Sequence, residues 1–197
     1  DDASYRQGMA RKAFATTARY DAAIQMYFAV LKDETIPLQV NLYPAQTLRY
    51  GENPHQSAAY YTEKSGDGPM GGRLLQGKPL SYNNMLDLDG AWSSTLNFDA
   101  PTAVVVKHVS PCGIASAPRV EQAIAPAIAC DPISAFGSVI ASNRLVNAEF
   151  VCGLGDLFVE CIAAPQFTPE ALELLSTKKN LRLLQISLDA PRAEYEL

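Results

Sequence analysis

The chain has 197 residues, 48% hydrophobic and 19% charged. That is enough for a core burying about 70% of the unfolded surface without a disulfide or metal staple. With 16 basic and 21 acidic residues the net charge is −5, which excludes a broad nucleic-acid or anionic-membrane surface but leaves room for a small basic pocket.

No apolar run approaches membrane-spanning length, and no basic-then-apolar segment opens the chain. Cys112, Cys130, Cys152 and Cys161 show neither a Cys-x-x-Cys pair nor framework spacing, so they read as reduced thiols of a cytoplasmic protein. The chain opens on Asp1 rather than methionine, and the expectation is that function also draws on parts upstream.

The first segment predicts one helix. Ser4 and Gln7 have capping-box spacing, and Met9, Ala13, Tyr20, Ile24, Tyr27, Phe28 and Leu31 recur at helical intervals. Pro37 stops any continuation. Such a stripe needs a partner surface. Leu38, Val40 and Leu42 then alternate with Gln39 and Asn41, predicting a half-buried strand, and 58–61 predicts a second. Gly66, Gly68 and Gly71 match G-x-G-x-x-G, but Pro69 sits inside and neither a buried strand nor a helix flanks them; a solvated loop is the better reading.

Downstream the pattern alternates. A turn and helix are predicted over 81–96, a strand buried on both faces over 102–106, a helix over 119–129, and strands over 138–141, 157–162 and 181–186. Thr168-Pro169-Glu170 is a helix start, with Asn180 able to close that helix. This rhythm predicts an α/β fold with helices on the faces of a sheet.

Chemistry concentrates in three segments. Lys107-His108 closes the buried strand, and ligands of open α/β sheets bind outside strand carboxyl ends. Histidine accepts a proton near neutral pH, the neighbouring ammonium favours the neutral ring, and lysine offers a cation for a developing oxyanion. The pair suits acyl or formyl transfer; a snorkelling lysine beside a turn-capping histidine is the plainer alternative. Arg49-Tyr50-Gly51 offers a guanidinium fork for phosphate, and Asn53-Pro54 predicts a turn presenting His55; an ordinary polar turn is the alternative. In the loop 131–137, Phe136 could stack on a planar ring or simply belong to the core, and Gly137 admits close approach. A zinc deaminase needs His-x-Glu and Pro-Cys-x-x-Cys; Pro111-Cys112 begins the second, but Ala115 ends it, and neither histidine completes the first. No metal is predicted, and no P-loop occurs.

Together 48–56, Leu75-Gln76-Gly77-Lys78-Pro79-Leu80-Ser81-Tyr82-Asn83-Asn84, 107–113, 131–137, 157–165 and Lys178-Lys179-Asn180-Leu181-Arg182 closely resemble the bifunctional AICAR transformylase/IMP cyclohydrolase family, in order and spacing, over nearly the whole chain. The resemblance implies that residues 1–37 hold the closing helix of a cyclohydrolase domain and 38–197 the first cytidine-deaminase-like α/β/α subdomain of the transformylase. It implies transfer of a formyl group from 10-formyltetrahydrofolate, as cosubstrate, to AICAR, with Lys107 and His108 catalytic. Arg49 and Tyr50 would hold the nucleotide, His55 would stand near the reacting centre, and Asn84, Phe136, Gly137 and Glu160 near the substrate. Glu160 stands where some members have aspartate, and Ser110 where many bacterial members have asparagine. The resemblance also implies that cyclohydrolase residues lie upstream of Asp1, and that the site is completed across a homodimer. The competing readings are a deaminase-like hydrolase and a non-enzymatic interaction module.

Overall fold

The computed structural model describes residues 2–35, 40–62 and 68–189, and the chain divides into two units, Asp1–Asn41 and Leu42–Leu197. The first unit carries one 30-residue helix, α1 (Ala3–Lys32). Its cap is Asp2, whose carboxylate accepts the Ser4 N–H at 2.9 Å. The expected Ser4–Gln7 box is therefore not the start, because Ser4 already lies in the first turn. Asp33 ends the helix in the left-handed region, at φ 54°. The apolar side chains of Phe14, Tyr20, Tyr27, Phe28 and Leu31 are exposed. Pro37, Leu38 and Gln39 lie outside the described residues.

The second unit opens with an antiparallel ribbon of β1 (Tyr43–Leu48) and β2 (Ala58–Thr62). The strand expected over 38–42 thus begins later: residues 40–42 form no ladder, since pairing starts where Tyr43 faces Thr62. β2 covers the strand expected over 58–61. A single 3₁₀ turn at Pro69–Gly71 stands in the glycine-rich segment, with Gly66 outside the described residues.

The remaining elements are β3 (Arg73–Gln76), α2 (Tyr82–Thr95), β4 (Thr102–Lys107), β5 (Ser110–Ser116), α3 (Val120–Cys130), β6 (Ser138–Ser142), α4 (Ala148–Gly153), β7 (Val159–Ala164), α5 (Pro169–Ser176) and β8 (Arg182–Gln185). They build a six-stranded sheet in the order β3-β8-β7-β6-β4-β5. β6, β7 and β8 run parallel; β4 is antiparallel to both its neighbours, and β3 is antiparallel to β8.

Period-2 alternation sorts the sheet into two apolar faces. Ala103, Val105, Ile140, Ile162 and Leu183 face α3, α4 and α5, with Ile124, Phe150 and Leu175 filling that layer. Val104, Val106, Val139, Ala141, Cys161 and Leu184 face α2 through Leu88, Ala91 and Trp92. The result is an α/β fold with helices on both faces. Burial pushes the Cys161 thiol up to about 12, the response expected of a group whose charged form loses water.

Three differences from the sequence expectation have local causes. Residues 110–113, for which the sequence predicts no element, form the start of β5. Pro111 is tolerated there because β5 is an edge strand and the ladder shifts register beside it. β3 is too short to announce itself and is fixed by pairing with β8. α5 stops at Ser176, with Thr177 as its cap, before Asn180 can serve.

Candidate active site

A cleft of about 950 Å³ opens at one end of the sheet, lined by residues of the ribbon, of α2 and of strand ends. Its place corrects the topological expectation. Lys107 does end β4, but β4 runs against β6, so its carboxyl end lies level with the amino ends of β6, β7 and β8: Val106 faces Val139, Ser138 faces Val159, and Cys161 faces Arg182. The cleft therefore sits at the amino ends of the parallel strands, not at their carboxyl ends.

Lys107 and His108 both line it. The Lys107 ammonium donates to the carbonyls of Phe136 and Gly137, each at 3.0 Å. An ammonium has three donors, so one is left for the cleft. Gly137 earns its residue type: its φ is +69°, and a Cβ would stand 3.1 Å from Lys107 Nζ.

His108 and Val109 form the two-residue connection of the β4–β5 hairpin, with Lys107 facing Ser110. Both have positive φ, 54° and 70°, as mirror-image hairpin turns require. Such turns prefer asparagine and glycine; a β-branched valine there is an outlier that costs of order 1–3 kcal/mol. The Val109 N–H donates to Asp87 Oδ1 at 2.7 Å. Across the turn, Gly90 leaves space for the Val109 carbonyl, to which a Cβ would come within 2.7 Å. Among the described residues no hydrogen bond holds the His108 ring.

The cleft floor is a polar network. Ser81 and Asn84 form the reciprocal capping box of α2. The Asn84 side-chain amide, itself buried, also donates to Glu160 Oε2 at 3.1 Å. Arg182 Nη1 donates to the same oxygen at 3.2 Å, leaving Glu160 Oε1 without a partner among the described residues. The other wall comes from the ribbon: Arg49 and Tyr50 follow β1 directly and line the cleft, with the Arg49 guanidinium 5.1 Å from the Tyr50 ring centroid. Stacked in this way, its in-plane donors stay available to an anion.

Of the expected residues, Lys107, His108, Arg49, Tyr50, Asn84, Gly137 and Glu160 come together around this cleft. His55 and Phe136 do not line it. His55 sits in a turn closed by Gly51 N–H to Gln56 O at 2.8 Å and Asn53 N–H to the Gln56 side chain at 2.8 Å. Phe136 is 63% exposed, which rules out the core alternative; its ring lies 5.5 Å from that of Phe158. Arg182 and Asp87 also line the cleft, though neither is among the site residues expected from the sequence. Arg182 sits at the start of its strand, a position that reveals itself only once β8 is paired with β7. Among the described residues no three His, Cys, Asp or Glu side chains converge as metal ligands would.

The family model of the AICARFT/IMPCHase bienzyme matches residues 2–197. The chain belongs to this family. It is 46% identical over 94% of its length to the bifunctional purine biosynthesis protein PurH of Neisseria meningitidis serogroup A, and 44% identical to the proteins of that name from Neisseria gonorrhoeae and Myxococcus xanthus, over 98% and 95% of its length. It spans only 38% to 39% of the length of these relatives.

Proposed function

We propose that this chain is the central part of a bifunctional purine-biosynthesis enzyme, and that its cleft supplies one side of a formyl-transfer site. The observation that carries this reading is the convergence of Lys107, His108, Arg49, Tyr50, Asn84 and Glu160 on one cleft. The substrates are AICAR, an imidazole ribonucleotide, and 10-formyltetrahydrofolate. The 5-amino nitrogen attacks the formyl carbon, His108 takes the amine proton and returns it to the folate nitrogen as the carbon–nitrogen bond breaks, giving FAICAR and tetrahydrofolate. The third donor of Lys107 supports the charge that develops on the formyl oxygen. Arg49 holds the 5′-phosphate beside Tyr50, while Asn84, Glu160 and Gly137 shape the base end. Phe136 stands near the substrate and His55 near the reacting centre in this reading, although neither lines the cleft within this chain.

The strand order β5-β4-β6-β7-β8, a hairpin followed by three parallel strands, supports a cytidine-deaminase-like subdomain over 38–197. The division after Asn41 supports assigning 1–37 to a cyclohydrolase domain. IMP cyclohydrolase chemistry belongs to the part of the relatives that this chain does not span. A homodimer that completes the site, and a cytoplasmic location, complete the reading.

The test is an assay of the complete protein with both substrates, following tetrahydrofolate formation. Turnover that needs both substrates and survives a chelator supports the reading. Ammonia release from a nucleoside without folate would replace it with the hydrolase alternative.

A further inference from the structure

A general base is normally aimed by a third group that binds its far nitrogen. Here no hydrogen bond reaches the His108 ring among the described residues, so its direction is set by its backbone. That backbone is the strained turn: His108 at φ 54° and Val109 at φ 70°, conformations that side chains other than glycine leave readily. Within a two-residue hairpin the N–H of the second turn residue has no ladder partner. It finds one in the Asp87 carboxylate at 2.7 Å, a short charge-assisted bond. Asp87 is itself well fixed. Its helix is capped at Ser81–Asn84, and the adjacent Leu88 is fully buried against the sheet.

We propose that Asp87 is a positioning residue: by accepting the Val109 N–H it holds the His108–Val109 turn left-handed and so aims the His108 imidazole across the cleft. This rests on the formyl-transfer reading of that cleft. The rest of the site is anchored elsewhere. Lys107 is held by the Phe136 and Gly137 carbonyls, and Arg49 and Tyr50 directly follow β1 of the ribbon. Loss of the Asp87 carboxylate therefore misaims one group and spares nucleotide binding.

The experiment uses the complete protein and measures kcat for formyl transfer beside the AICAR dissociation constant. Asp87→Ala should lower kcat by about 10- to 100-fold, the scale of a misplaced catalytic group, with the dissociation constant within about threefold. Asp87→Asn, which keeps an acceptor oxygen in place, should recover most of that loss. Asp87→Ala combined with Val109→Gly should also recover most of it, because glycine takes positive φ without strain. This double variant keeps the test decisive where Asp87→Ala alone fails to fold. On a His108→Ala background, Asp87→Ala should cost nothing further, as residues acting through one another are non-additive. Parental kcat in Asp87→Ala while His108→Ala is inactive overturns the proposal, and so does an undiminished effect on the His108→Ala background or no recovery by Val109→Gly. Parental kcat in His108→Ala overturns instead the reading on which the proposal rests.

Discussion

The two walls of the cleft are built differently. On the sheet wall the polar groups around the His108 ring are held by other elements: Lys107 by the loop before β6, the Val109 N–H by α2, and Glu160 by both Asn84 and Arg182. On the ribbon wall Arg49 rests on its neighbour Tyr50 and makes no ion pair among the described residues, and β1 and β2 are a two-stranded sheet in which Leu48 is the one buried residue. An isolated two-stranded ribbon is marginal in stability. The difference matches two kinds of work. Proton transfer fails with small errors of position, whereas a guanidinium on a pliant support can still find a dianionic phosphate.

The largest effect should come from the sheet wall. His108→Ala in the complete protein should lower formyl transfer by about 10²–10⁴-fold, the usual contribution of general-base catalysis. Its affinity for AICAR should stay close to that of the parent. Single-turnover kinetics with saturating substrates checks this, and a variant with near-parental turnover would remove His108 from the chemistry.

The ribbon wall should show the opposite signature. Arg49→Ala should weaken AICAR binding by about 1.5–3 kcal/mol, the scale of a hydrogen bond to a charged group. The dephosphorylated nucleoside should lose much less. Titration calorimetry with both ligands decides: equal weakening would mean that Arg49 does not anchor the phosphate.

How far the sequence reached follows the same division. Thr102 to Val106 could be read as a doubly buried strand from composition alone, and it is one. Lys107 and His108 could be placed at its end. That this end lies beside the amino termini of β6 to β8 could not be read, because it follows from β4 running against β6, a long-range pairing that leaves no local mark. The β5 strand was hidden for a related reason: Pro111 and Gly113 look like loop residues until the edge position and the register shift are known. Gly113 in fact lies where a Cβ would collide with the Ala127 carbonyl of α3, so its glycine serves helix–strand packing. Asp87 was missed because an exposed-looking acid on a helix carries no signal until the turn it touches is seen.

Smaller than the effect expected at either wall is that of Gly137→Ala. Its φ of +69° and the 3.1 Å approach of a Cβ to Lys107 Nζ mean that alanine must strain the backbone and displace the ammonium. The left-handed conformation alone costs about 1–2 kcal/mol for an alanine. Thermal melting should show that loss, and kcat should fall with the shifted lysine. A melting temperature equal to the parent's would mean that the loop relaxes freely, and that the sheet wall is less firmly determined than its hydrogen bonds imply.

The smallest effect tests the loop that carries those carbonyls. Asp131 accepts from Ser134 Oγ at 2.6 Å, Ser134 N–H at 3.0 Å and Ile133 N–H at 3.2 Å. These bonds, the Ser134 hydroxyl first, hold its carboxyl below the ordinary aspartate value. The sign follows from linkage. A carboxyl with a depressed folded pKa contributes stability that is fully present above its unfolded value of about 3.9, and that contribution is lost as pH falls through the lower folded value. Asp131→Asn should therefore melt slightly below the parent between about pH 5 and 7, and the gap should close as the pH is taken below about 4. Ser134→Ala should reduce the gap at neutral pH, since it removes the largest cause of the shift. The site is only half-buried, so the effect is small, and added salt should shrink it further. A gap that stays constant down to pH 3 would mean that the ionised carboxylate contributes nothing to this loop, and that Phe136 and Gly137 are held in place by the Lys107 contacts and the strand pairing alone.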